Sequence, residues 1–261
     1  MATKILLLYK NLLLNSTLTA SSAATGFPVS NLKNPFRSKA WRTAGATAGT
    51  ANLVINLGSA LAVNCVALTG YTWASAPGTL NLEFNATDDW GAPSATEALT
   101  WKAATTPYGN KGSIIKAFAS KTYQYLRLNV VYSPGATPTD WDLGVIHVGT
   151  YFQPAVNVSH GFEYSIIDPS MESVTVGGQL HHDQLDKYRR FDFSQRIFTA
   201  TEFKNFQNFY NEVGTVKPIF VSYDYDNAEE TTIYGNLTDA MAVQNKVLNY
   251  YETEFELRES R

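Results

Sequence analysis

Two neighbouring histidines followed by an aspartate are the residues whose types come nearest to a catalytic or metal-binding site. His181, His182 and Asp183 carry nitrogen and oxygen atoms that ligate zinc or transfer protons near neutral pH. On an extended strand, however, adjacent side chains point to opposite faces, so both imidazoles reach one metal ion only across a turn. No second pair of ligands follows at a useful spacing. We therefore predict a solvated loop and no metal site.

Two short segments place a tryptophan among carboxylates, namely Asp88-Asp89-Trp90 and Asp140-Trp141-Asp142. One interpretation is sugar binding, in which the flat ring stacks on the apolar face of a pyranose and the carboxylates accept hydroxyl protons. Another is a calcium site made of oxygen ligands. The alternative, which we favour, is that the aspartates form turns and the tryptophans fill the core.

A further tryptophan, Trp73, lies between Tyr71 and Pro77. Its position fits either a binding loop or the end of a core strand. Together with the two segments above, it completes the set of candidate ligand-loop residues, which are Trp73, Asp89, Trp90 and Trp141.

The sequence contains none of the common catalytic signatures. There is no G-x-S-x-G elbow, no H-E-x-x-H and no phosphate-cradling loop. A pair of carboxylates for glycoside hydrolysis is defined by its separation in space, which the sequence does not show. The one cysteine, Cys65, lies in an apolar strand, so we expect neither a thiol nucleophile nor an intrachain disulfide. We predict that the protein is not an enzyme and needs no cofactor.

In the first part of the chain, the sequence pattern predicts that strands position these residues. Apolar and polar residues alternate around Leu53, Leu82 and Leu128, and a further strand is expected over 144–148. Gly, Ala, Ser, Thr and Pro loops separate the strands, and no period of 3.6 residues appears. Many short strands separated by such loops indicate a sandwich or jelly roll.

The amino-acid composition changes near residues 151–154, where the Ala- and Thr-rich loops end and acidic residues become more frequent. We predict two domains, 1–150 and 151–261. In the second, Thr199 and Glu202 form a capping box before an amphipathic helix near 200–213, whose aromatic face is expected to be core. Strands are expected over 163–167, 173–176, 188–193, 218–225, 231–237 and 247–258. The fold class is therefore mainly β, with two β-sandwich domains and one helix in the second.

Charge is distributed unevenly along a chain whose net charge is −3. Residues 1–150 contain 11 Lys or Arg and 6 Asp or Glu, whereas residues 151–261 contain 9 and 17. Such asymmetry suggests two domains with different neighbours, and the overall balance predicts no nucleic-acid partner. No apolar run approaches the length of a membrane span, so we expect no membrane insertion. Lys10 and Asn11 split the first apolar run, which favours an intact first strand over a signal peptide.

Basic residues between 187 and 196 lie in the otherwise acidic second part, and glutamates alternate along its last strand. Opposite charges on two strand surfaces suit contacts between neighbouring copies in a ring. The alternative is ordinary surface charge, which contributes little per pair. The candidate oligomer contacts are Arg189, Arg190, Arg196, Glu252, Glu254 and Glu256.

Residues 10–150 resemble a discoidin-type (coagulation-factor C-type) domain. The resemblance rests on Gly-Phe-Pro-Val-Ser-Asn-Leu at 26–32, on Trp41-Arg42, and on Ile55-Asn56-Leu57-Gly58. It implies a jelly roll in which the tryptophan packs under the sandwich and a ligand is held on loops at one end. The terminal cysteines of many family members are missing, which suits assembly in a reducing cytoplasm.

The last 75 residues or so resemble the N-terminal domain of siphophage distal tail proteins and related baseplate proteins. The segments concerned are Arg189-Arg190-Phe191-Asp192-Phe193, the helix over 202–213, the strand over 218–224, Tyr234-Gly235-Asn236-Leu237 and Phe255-Glu256-Leu257-Arg258-Glu259. In that family the ring-forming domain comes first, whereas here the discoidin-like part precedes it. The resemblance implies a β-sandwich that assembles into a ring.

Together, the two resemblances predict a structural component of a bacteriophage tail tip or baseplate, assembled in the host cytoplasm and located in the virion. It would form a cyclic homo-oligomer, a hexamer or trimer, and link the tail tube and hub proteins. The discoidin-like domain would brace another tail protein or contact a host-surface glycan. The alternative is a glycan-binding module for host-surface attachment, and a weaker one is an enzyme that acts on glycosides.

Overall fold

The computed structural model describes residues 5–44, 50–73, 75–103, 112–131, 140–159, 161–197, 199–225, 228–247 and 250–260. The protein is mainly β, which confirms the predicted fold class. None of the described helices is long and apolar enough to cross a membrane.

Strands dominate the element order, and two α-helices interrupt them. The elements are β1 Leu6–Asn11, β2 Thr17–Ala20, β3 Trp41–Arg42, β4 Thr50–Thr69, β5 Thr79–Asn85, β6 Ala95–Ala98, β7 Ser113–Val131, β8 Asp142–Leu143, β9 Val145–Phe152, β10 Glu163–Ile167, β11 Met171–Val174, β12 Leu180–Asp183, β13 Tyr188–Ile197, α1 Ala200–Val213, β14 Ile219–Ser222, α2 Ala228–Thr231, β15 Thr232–Leu237, β16 Val243–Val247 and β17 Tyr250–Glu259. Short 3-10 helices span Leu12–Asn15 and Val29–Lys33.

The chain forms two compact units that differ from the predicted domains. The first contains Met1–Pro154 and Ile219–Tyr234, and the second contains Ala155–Pro218 and Gly235–Arg261. The predicted second domain contains all of 151–261, but residues 219–234 belong to the first unit. The physical reason is strand pairing, because β14 is antiparallel to β1 and contributes buried apolar side chains.

The first unit is a sandwich built around the two long strands β4 and β7. These strands pair along most of their length, with irregularities between Asn56 and Leu61 and between Val63 and Cys65. One half of the pair is flanked by β2 on one side and by β5 and β6 on the other, and the other half is flanked by β9, β1 and β14. Side chains from both halves meet in one core, which also contains Trp41, as the discoidin resemblance implies.

The second unit packs helix α1 on a sheet of β10, β13, β17 and β16, together with the end of β15 from Gly235. Phe206 and Phe209 face Phe255 of β17, with ring centroids 6.1 Å apart in each case. The helix begins as predicted, because the Glu202 backbone N–H donates to the Thr199 hydroxyl at 3.1 Å. The capping box is nevertheless incomplete, since the Glu202 carboxylate accepts from the Ala155 backbone N–H at 2.8 Å.

A hairpin of β11 and β12 also belongs to the second unit. Every residue from 171 to 187 is exposed. Among the described residues, the two strands pair only with each other. His181 and His182 thus lie on a strand, not in the predicted loop.

Candidate ligand-binding face

The outward side of the sheet formed by β2, β4, β7, β5 and β6 is lined by polar side chains. Leu80, Leu82 and Phe84 of β5 are buried in the core, so Asn81 and Glu83 point to the opposite side. The strands place these side chains in cross-strand rows. Asn81 lies opposite Asn129, which lies opposite Asn52, and Glu83 lies opposite Arg127. We call Asn52, Asn81, Glu83, Arg127 and Asn129, together with the adjoining Trp90, the polar face.

An ion pair and an amide hold the centre of the polar face. The Arg127 Nε donates to Glu83 Oε2 at 2.6 Å, and the Asn129 amide donates to Glu83 Oε1 at 2.9 Å. Glu83 is 7% exposed and Arg127 16%. A carboxylate buried this far needs such partners, because unpaired burial of a charge is costly. Hydrogen bonds therefore fix the three side chains relative to one another at the surface of the sheet.

The loop between β5 and β6 is closed by its own side chains. The Asn85 amide donates to the Asp89 carbonyl, and the Ser94 hydroxyl donates to Asn85 Oδ1 at 2.8 Å. The Gly91 backbone N–H donates to Asp89 Oδ1 at 3.1 Å. Asp89 therefore shapes a turn, as the favoured interpretation of this segment predicts.

Trp90 is held at the edge of the polar face. Its indole N–H donates to Asp88 Oδ1 at 2.7 Å. The Arg127 guanidinium carbon lies 4.7 Å from the centroid of its ring, which is cation–π distance. The ring is partly exposed, so it borders the polar network while part of it contacts solvent.

Trp73 and Trp141 lie in the core, which corrects their place among the candidate ligand residues. They are 4% and 2% exposed. Trp73 stacks on Tyr71 at 4.8 Å and meets Trp141 edge-on at 5.0 Å. The pairing of β3 with β8 draws Trp141 inward against Trp41. Trp73 and Trp90 flank opposite ends of β5, so the structure does not bring the four candidates together.

The second carboxylate-rich segment is engaged in an ion pair. Asp142 accepts two hydrogen bonds from Arg42, at 2.6 and 2.9 Å. This pairing raises the pKa of Arg42. Within the described ranges, no three His, Cys, Asp or Glu side chains form a group that could hold a metal ion.

The two histidines face different partners. His181 Nε2 is 3.3 Å from Asp183, and His182 Nδ1 is 3.8 Å from Glu172. Strand β12 directs neighbouring side chains to opposite faces. The imidazoles therefore do not converge on one point.

Two of the candidate oligomer contacts, Arg189 and Arg190, form ion pairs within their own chain, and the contact with a neighbouring copy stays a prediction. Arg189 is 1% exposed and binds Glu259 through Nε at 3.0 Å and Nη2 at 2.7 Å. Arg190 binds Asp192 at 2.7 Å and lies 3.6 Å from Glu256. The hydrogen bond and charge of Asp192 raise the pKa of Arg190.

The physical reason is that β13 and β17 are neighbours in one sheet. Their register places Arg196 opposite Glu252 and Ser194 opposite Glu254. The alternating charges that suggested two complementary surfaces therefore form rows across a single surface.

Sequence reasoning missed Glu83, Arg127 and Asn129. The sequence did contain a sign of them, because each residue lies at a polar position of a segment in which polar and apolar residues alternate. Only the register between β5 and β7 shows that the three side chains meet.

No protein-family model matches the chain, and no curated protein does. A chitosan-binding module from a chitosanase/glucanase of Paenibacillus sp. IK-5 is similar to it at 26% identity and a TM-score of 0.40, covering 54% of this chain and 99% of the module. A fucose-binding module of Streptococcus pneumoniae is similar at 12% identity and a TM-score of 0.41, covering 54% and 95%. The lectin domain of lectinolysin, complexed with Lewis B antigen, is similar at 14% identity and a TM-score of 0.40, covering 53% and 95%.

Proposed function

We propose that the first unit is a non-catalytic carbohydrate-binding module whose ligand lies on the polar face against Trp90. The observation that carries the proposal is the fixed group of Glu83, Arg127 and Asn129 beside a partly exposed indole ring. A rigid polar group next to an aromatic ring presents hydrogen-bonding and apolar surface at one place.

The chemistry of this face matches that of a sugar. Each hydroxyl of a sugar both donates and accepts hydrogen bonds, and the Asn81–Asn129–Asn52 row offers amides that do both. A pyranose also has an apolar face of C–H groups, for which the Trp90 ring is a suitable surface.

The same geometry supports binding rather than catalysis. Both carboxylate oxygens of Glu83 already accept hydrogen bonds from Arg127 and Asn129. A general acid or base must instead offer its oxygen to the substrate. Glu83 is thus placed to hold its neighbours in position.

A tail-tip location, a ring of copies and partners in a phage tail stay predictions from the sequence. The ring contacts rested on complementary charges between copies, and Arg190 meets those charges within its own chain. Binding of a host-surface glycan by the first unit is compatible with that setting and does not depend on it.

A glycan array probed with the full chain, followed by calorimetric titration of the best saccharide, tests the proposal. We expect the Trp90→Ala variant to bind at least roughly tenfold more weakly, because it loses the stacking surface. Phe36→Ala is the matched control, since it removes an exposed aromatic ring outside the polar face. An array without binding at millimolar saccharide, or equal affinity of Trp90→Ala and wild type, would contradict the proposal.

A further inference from the structure

The hairpin of β11 and β12 in the second unit carries exposed apolar side chains. Met171, Val174 and Leu180 are 64%, 65% and 60% exposed, and Val174 lies directly opposite Leu180. An isolated two-stranded hairpin is marginally stable in water, and the unpaired edge of a strand is a template for pairing with another strand.

The hydrogen-bonding pattern shows which backbone groups face outward. The Thr175 N–H donates to the Gln179 carbonyl at 2.9 Å. Because hydrogen-bonded and non-bonded pairs alternate in an antiparallel ladder, Ser173 bonds within the hairpin. The N–H and C=O groups of Glu172 and Val174 therefore point away from β12, at the free edge of β11.

We propose that a second copy of this chain pairs with this edge, β11 against β11 and antiparallel, around a two-fold axis at Ser173. In this register Glu172 of each copy lies opposite Val174 of the other, and all four outward N–H groups of the two edges find acceptors. The apolar pairs of Val174 and Leu180 then lie on the same face of a four-stranded sheet.

Side-chain chemistry selects this register. A shift that brings Glu172 opposite its own copy places like charges side by side, which is destabilising. A shift the other way brings Glu172 opposite Val176, which lies beyond the end of β11. The edge of β12 is less suitable, because its equivalent register brings the two copies of His181 together beside His182.

Sedimentation equilibrium of the full chain over a range of concentrations tests the proposal. Wild type should dimerise reversibly, and Glu172→Pro should weaken the dimer by about thirtyfold because each copy loses one intermolecular N–H donor. Glu172→Thr is the matched control, since it also removes the charge but keeps the N–H. His182→Pro blocks the other edge and should leave the dimer intact. A monomeric wild type, or loss of the dimer in either control, would overturn the proposal.

A crosslink provides a second test that does not depend on proline. In the proposed register the two Ser173 residues form a non-bonded pair with Cα atoms about 4.5 Å apart, which a disulfide can span. Ser173→Cys should form a covalent dimer under mild oxidation. Met171→Cys should not, because its two copies would lie roughly 13 Å apart along the strands. Native Cys65 is buried, and burial raises its pKa to about 12, so it should not compete. Equal crosslinking of both variants would exclude this register.

Discussion

Each unit of the protein contains an ion pair between an arginine and a glutamate, but the two pairs have different surroundings. In the first unit, Arg127 and Glu83 lie on the outward side of a sheet, with Asn129 and the Trp90 ring beside them. In the second, Arg189 and Glu259 are 1% and 5% exposed on the inward side of β13 and β17. Glu259 also accepts the Arg189 backbone N–H at 3.0 Å.

The two pairs contain the same residue types and differ in their access to solvent. Arg127 is 16% exposed and touches an aromatic ring that contacts solvent, so a ligand can add to its interactions. Arg189 is buried, and both carboxylate oxygens of Glu259 accept hydrogen bonds from it. Breaking the second pair should therefore mainly destabilise the fold, whereas changing the first should affect ligand binding as well as stability.

The largest effect is expected from Arg189→Met. Removing one member of a buried ion pair leaves an uncompensated buried charge, which typically costs about 3–5 kcal/mol. Urea unfolding of the full chain should show this loss in the transition of the second unit. Arg127→Met, the matched change in the first unit, should cost less because that pair is nearer to solvent.

The double variant Arg189→Met/Glu259→Leu tests the cause of that loss. Replacing both charges by apolar groups removes the unpaired carboxylate, so most of the stability should return. Equal losses in the single and double variants would mean that Arg189 contributes through packing alone.

Acid should destabilise the first unit by a different cause. This unit buries the neutral imidazole of His147, whose pKa is lowered by burial. Burial lowers the pKa of His147 to about 3, against 6.5 for the free side chain. The unfolded chain therefore binds a proton below pH 6.5 that the folded chain does not. Stability contributed by neutral His147 is fully present above pH 6.5 and decreases as the pH falls from 6.5 towards 3.

The expected loss between pH 6.5 and pH 5 is about 2 kcal/mol. Chemical unfolding of the full chain at the two pH values measures it in the transition of the first unit. His147→Leu should remove this part of the pH dependence, while His181→Leu should not, because His181 is exposed. An unchanged pH dependence in His147→Leu would contradict the assignment.

Much of the fold could be predicted because it depends on local pattern. Alternation around Leu82 predicts a strand, and β5 spans Thr79–Asn85. Thr199 marks the start of a helix that ends before Gly214, whose φ is 55°. The place of β14 in the first unit could not be predicted, since its partner β1 lies more than 200 residues earlier in the chain. Local periodicity carries no information about such a pairing.

The candidate site shows the same limit. Trp90 could be singled out because an aromatic residue among carboxylates is visible locally. Trp73 and Trp141 have the same residue type but lie in the core, and only tertiary packing distinguishes them. Glu83 and Arg127 are 44 residues apart, so their contact follows from the register of two strands.

The smallest expected effect would sharpen the comparison between the two arginines. Arg127→Lys keeps the positive charge but loses the planar fork that fits Glu83 and lies over Trp90. If the polar face binds a saccharide, this variant should bind about tenfold more weakly and lose less unfolding free energy than Arg127→Met, because the positive charge is retained. Arg42→Lys is the matched control. Arg42 also forms an ion pair in the first unit, with Asp142, but it lies outside the polar face. Loss of affinity in both variants would point to a general effect on the sandwich, whereas loss in Arg127→Lys alone would separate the Arg127 pair from the Arg189 pair by function.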